Sequence, residues 1–132
     1  MGAVVLGYVA TAEGEAALRR AIDEVKLRDV PLIVVTSSKG GATLDAEAAT
    51  ELRGELAAVR KQLDASGVPY EVRNLVRGNE PAEDLIDIAT EAEADMIVIG
   101  LRRRSPVGKL IMGSNAVQIL LDAPCPVLAV KV

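Results

Sequence analysis

The sequence predicts a single doubly wound α/β domain, a five-stranded parallel sheet with helices on both faces. Three observations carry that expectation. Short aliphatic runs rich in Val and Ile alternate with longer stretches of 3.6-residue apolar period along the 132 residues. The runs are apolar at consecutive positions, as strands covered on both faces must be. No internal repeat, low-complexity stretch or linker interrupts the series, so residues 1–132 are expected to form one domain.

Residues 3–9, Ala-Val-Val-Leu-Gly-Tyr-Val, suit a first buried strand. Thr11 then stands where a helix needs an N-cap, and Ala17, Leu18, Ala21, Ile22 and Val25 form one stripe. Pro31 to Thr36 reads as a second strand, followed by the polar loop Ser37-Ser38-Lys39-Gly40-Gly41. A long helix is expected from about Leu44 to Ser66, with Leu52, Leu56, Val59 and Leu63 inward, and Gly67 ends it.

Residues 69–76 alternate in polarity, as a half-exposed strand near a sheet edge does. Pro81 fits the first turn of a third helix, Glu83 and Asp84 complement its dipole, and Leu85, Ile86 and Ala89 give its apolar face. Asp95 to Ile99 is a fourth strand. Ser114 is expected to cap a fourth helix carrying Val117, Leu120 and Leu121, and residues 126–132 form the last strand.

Half of the residues are hydrophobic, enough for a core without disulfide or metal. The core must be aliphatic, because Tyr8 and Tyr70 are the only aromatic residues. Base-stacking surfaces need aromatic platforms, and a net charge of −4 repels nucleic acid and anionic membranes alike. Cys125 is the one cysteine and histidine is absent, which removes internal disulfides, His/Cys metal clusters and the commonest general base. Neither a leader pattern nor a membrane-length apolar run is read, and Leu6 breaks a myristoylation motif. The expected compartment is the cytoplasm.

Ligands of such sheets bind beyond the carboxyl ends of the strands, where strand order reverses. Val9-Ala10-Thr11 and the loop opened by Gly100 are the natural walls of that crevice. Between Asp95 and Asp122 there is no acid, while Arg102, Arg103, Arg104 and Lys109 all lie there. Gly113-Ser114-Asn115 offers backbone N–H groups and a hydroxyl at a helix start, which favours an anion. The same residues also fit a helix start that only packs and caps beside a solubilising basic loop.

Two other phosphate motifs are excluded. Gly108-Lys109 is followed by Leu110 instead of Ser or Thr, and Gly-x-Gly-x-x-Gly is missing after the first strand. Nothing in the chain resembles machinery for fast phosphoryl transfer, so an enzyme is not expected. At most, Ser114 and bound phosphates would share Mg²⁺ in a slow ATP hydrolase.

The loop resembles the motif of the universal stress protein family: Gly, two residues, Gly, nine residues, Gly and then Ser or Thr. Here it runs Gly100, Leu101-Arg102, Arg103, nine residues through Met112, then Gly113-Ser114. Residues 77–82 (Arg-Gly-Asn-Glu-Pro-Ala) and 123–130 (Ala-Pro-Cys-Pro-Val-Leu-Ala-Val) are also similar to that family. The resemblance covers the whole chain. It implies a Rossmann-like sheet of order 3-2-1-4-5 and a stress-response homodimer joined through its terminal strands, residues 127–132.

It further implies ATP or a related adenine nucleotide at the motif. Gly100, Gly113, Ser114 and Asn115 would face ribose and phosphates, with Arg102 and Arg103 beside them. Thr36 would meet adenine through its backbone, and Val9, Ala10 and Thr11 would line the pocket. Two positions depart from the pattern. Val9-Ala10-Thr11 stands where many nucleotide-binding members have an Asp, and Arg103 replaces the second Gly. Arg103 either crowds the phosphate loop or supplies a cation in place of backbone contacts. A nucleotide-independent dimeric interaction module is therefore the alternative function.

Overall fold

The computed structural model describes residues 2–38, 46–76, 80–101 and 114–132. Their elements alternate in the order β1 (Val4–Gly7), α1 (Ala12–Arg28), β2 (Leu32–Ser38), α2 (Ala46–Ser66), β3 (Tyr70–Val76), α3 (Pro81–Glu91), β4 (Met96–Gly100), α4 (Ser114–Asp122) and β5 (Val127–Val130). The strands form one parallel sheet of order β3-β2-β1-β4-β5, the order implied by the resemblance.

Successive strand residues face opposite sides, and β1 divides the core accordingly. Val4 and Leu6 pack with Leu32, Val34 and Val98 beneath Leu18, Ile22 and Val25 of α1 and Val59 and Leu63 of α2. Val5 packs with Ile33, Val35, Ile97 and Ile99 beneath Leu85 and Ile88 of α3 and Ile119 of α4. Each such side chain contributes about 1.5–3 kcal/mol by leaving water. The central strands are buried by helices on both sides.

The helix ends follow their sequence signals. Thr11 is the N-cap of α1, its hydroxyl accepting from the Gly14 N–H at 3.1 Å. Gly67 takes φ +76° just beyond α2, a conformation costly for a residue with a Cβ. Pro81 begins α3, and Glu80 and Glu83 cap one another reciprocally.

One expectation about a helix face is corrected. In α3 the buried stripe is Ala82, Leu85, Ile88 and Ala89, so Ile88 takes the place expected for the half-buried Ile86. In α4, Val117, Leu120 and Leu121 face outward, Leu121 being 77% exposed. Ile119 is the buried residue, flanked by partly buried Ala116 and Ala123. This nine-residue helix packs on α3, and Ile119 is the residue it sends into the core they share.

The two sheet edges differ. On β3, Arg73 pairs with Glu71 at 2.6 Å and Glu91 at 3.7 Å, and the Tyr70 hydroxyl donates to Asp64. On β5, Val127, Leu128, Ala129 and Val130 are all half-buried apolar residues.

Candidate functional site

The carboxyl end of β1 leads into a turn locked onto α1. The Thr11 N–H donates to the Val9 carbonyl at 2.8 Å, and that carbonyl lies over the α-carbon of Gly14. A Cβ on Gly14 would overlap the carbonyl oxygen. The turn leaves the Val9 side chain 61% exposed and Ala10 exposed beside it. The Thr11 hydroxyl oxygen accepts in the cap, which holds the side chain in place and leaves its O–H as a donor.

Gly100 closes β4 against the same helix. A Cβ there would stand 2.6 Å from the Glu13 carbonyl oxygen. Its missing side chain thus serves strand–helix packing, and it brings the β4 exit against the first turn of α1. Beneath this end, the nearly buried Tyr8 hydroxyl donates to Glu15. Burial pushes the phenol pKa well up, and the bond to Glu15 and the charges of Glu15 and Glu55 push it further.

Thr36 sits at the carboxyl side of β2, with its hydroxyl donating to Asn74 Oδ1 at 2.9 Å. Leu32 N–H donates to Pro69 of the neighbouring connection, whereas Tyr8 N–H reaches the carbonyl of Val35. By the alternation of a parallel ladder, the Thr36 backbone turns toward β3 and that of Val35 toward β1. Sequence reasoning missed Asn74; its signal was a short polar residue directly opposite Thr36 in the register.

Helix starts gather at this end of the sheet, and their charges differ. The first turn of α1 carries Glu13 and Glu15, and that of α3 carries Glu83 and Asp84. The first turn of α4 carries no acid. In α3 the donors are already occupied: Glu83 and Asp84 N–H reach the Glu80 carbonyl, and Ala82 N–H donates to Asn115 Oδ1 at 3.1 Å. Asn115, expected at a ligand, is found tying α4 to α3. Ser114 is the first residue of α4. Arg102, Arg103 and Gly113 lie outside the described residues. Among the described residues, no group of three His, Cys, Asp or Glu is arranged to hold a metal ion.

A parallel sheet whose strand order reverses between β1 and β4 defines a Rossmann-like α/β protein. The family model described as the Universal stress protein family matches residues 1–131. The chain belongs to the universal stress protein family. A universal stress protein of Mycolicibacterium smegmatis is 44% identical over 128 residues, covering 97% of this chain and 96% of that one. The structure of a universal stress protein from Archaeoglobus fulgidus has a TM-score of 0.86 at 40% identity, covering 99% and 98% of the two chains. A second structure from that organism, in complex with dAMP, has a TM-score of 0.80 at 35% identity over the same shares.

Proposed function

We propose that the chain, acting as one domain, is a cytoplasmic stress-response homodimer that binds ATP or a related adenine nucleotide for regulation. The observation that carries this reading is the acid-free start of α4 in a protein of net charge −4. A helix N-terminus stabilises a nearby anion by about 0.3–1 kcal/mol at an exposed site, and acids in the first turns of α1 and α3 oppose that. The Archaeoglobus fulgidus relative in complex with dAMP supports the choice of nucleotide.

In this reading Gly113 and Ser114 present N–H groups to the phosphates. Arg102 and Arg103 add charge, and Mg²⁺ arrives with the nucleotide on its phosphates. Val9, Ala10 and Thr11 wall the nucleoside, and the end of β2 at Thr36 meets the base. By the alternation of the ladder, the backbone of Val35 and Ser37 faces β1, which supports a base lying on that side. Calorimetry with ATP and AMP tests the site. Micromolar-range binding that is lost in Gly113→Val is expected; affinity weaker than millimolar with Mg²⁺ present would overturn the reading.

The homodimer rests on the contrast between edges. Charged pairs guard β3, whereas β5 and the outward face of α4 put Val117, Leu120, Leu121 and a bare apolar strand on one side of the molecule. Antiparallel pairing of two β5 strands covers that side.

The exposed Val9 favours a second reading, a dimeric interaction module that does not bind nucleotide. An apolar residue there gives the nucleoside no polar contact. Ordered adenine beside Thr36 in crystals grown with ATP would end it.

A further inference from the structure

Asn115 makes a hydrogen bond that its place in the motif does not explain. Its Oδ1 accepts from the Ala82 N–H at 3.1 Å, across 33 positions of sequence. A backbone N–H can be met only by the carboxamide oxygen, so the assignment of that oxygen is fixed. Ala82 is the second residue of α3, after Pro81, which has no N–H to give. Glu80 receives the next two amides through its carbonyl. Asn115 therefore completes the cap of α3 from another helix. Its oxygen is committed there, away from any ligand at its own helix start.

We propose that Asn115 is a positioning residue that fastens the start of α4 to the start of α3, so that an anion held at α4 also orders α3. The inference rests on the nucleotide reading above and extends it to regulation. Coupling of this kind is reciprocal: if AMP steadies the α3 cap, a steady cap strengthens AMP. Buried Leu85 and Ile88 root α3 in the sheet, while its exposed Glu83 and Asp87 face outward. Occupancy of the crevice is thereby expressed on a surface that a partner can read.

The test uses the full chain, with AMP as probe, and compares wild type with Asn115→Ala and Asn115→Asp. Amide hydrogen exchange at Ala82 and Glu83 is followed with and without saturating AMP, beside calorimetry. In wild type, AMP is expected to slow both amides about five- to tenfold, the scale of one lost hydrogen bond. Asn115→Ala should bind AMP more weakly by a similar factor and lose the AMP effect on α3. Asn115→Asp keeps an acceptor and should retain protection of Ala82 without ligand.

Equal AMP affinity in wild type and Asn115→Ala, or α3 amides indifferent to AMP, overturns the proposal. Should Asn115→Ala fail to fold, the wild-type exchange with and without AMP decides alone. Failure of wild type to bind AMP is a different result: it overturns the nucleotide reading, and this proposal with it.

Discussion

The α-carbon of Gly100 lies against the carbonyl group of Glu13, so that a methyl group added there would stand 2.6 Å from its oxygen. Both partners are backbone and neither can rotate away. Gly100→Ala should destabilise the protein by about 2–3 kcal/mol, the usual scale of overpacking. Gly14→Ala should do at least as much, although alanine is the better helix former. Gly54 is the control: it lies within α2 with no described atom near its would-be Cβ. Gly54→Ala should stabilise by roughly 0.5–1 kcal/mol. Urea unfolding of the three variants checks the contrast.

Tyr8 links stability to alkaline pH. Its folded pKa is raised above the ordinary value of 10.0, so the native state holds the phenolic proton more tightly than the unfolded chain. That contribution is complete below about 10 and is lost as pH rises beyond it. Wild type should therefore lose stability above pH 10 more steeply than Tyr8→Phe, measured by denaturation between about pH 8 and 11. At neutral pH the variant should be weaker by about 1–2 kcal/mol, for loss of the bond to Glu15. Parallel curves for the two proteins would contradict the account.

The β5 ladder offers a test of the proposed homodimer that leaves the subunit folded. Ile97 N–H donates to Pro126, and Leu101 N–H to Val130, so even-numbered residues of this strand face β4. Ala129 then turns its own N–H outward, away from β4. Ala129→Pro removes that donor while sparing the internal ladder, as edge strands tolerate. Analytical ultracentrifugation should show dimers for wild type and monomers for the variant, with melting temperature lowered by only a few degrees. A variant that remains dimeric would move the interface elsewhere.

Val9 tests the nucleoside side of the crevice. Its side chain is exposed, so Val9→Asp should leave the fold intact. A carboxylate there gives the nucleoside an acceptor and should tighten AMP binding about tenfold, the worth of one charge-assisted hydrogen bond. Inorganic phosphate, which has no nucleoside, should gain nothing. Calorimetry with both ligands distinguishes the two effects.

The strands were legible because burial on both faces leaves aliphatic runs, and Thr11, Gly67 and Pro81 marked helix ends by their local chemistry. Sheet order came from resemblance, since periodicity alone does not say which strands are neighbours. Less of the site was legible. Gly14 reads locally as a weak point in a helix; its purpose appears only when the Val9 carbonyl is seen above it. Asn115 reads as part of an anion-binding start, yet its oxygen is spent on a helix 33 residues earlier. The apolar residues of α4 announce burial without saying by what. In each case the deciding partner is distant in sequence, where local pattern has no reach.

The unequal edges of the sheet also set a limit on growth. In the proposed homodimer, with β5 as the receptive strand and β3 shielded by Arg73, Glu71 and Glu91, the sheet extends only once. After two copies join there, both outer margins are β3, and the symmetric contact is closed. Built this way, the protein carries its own terminator against filaments.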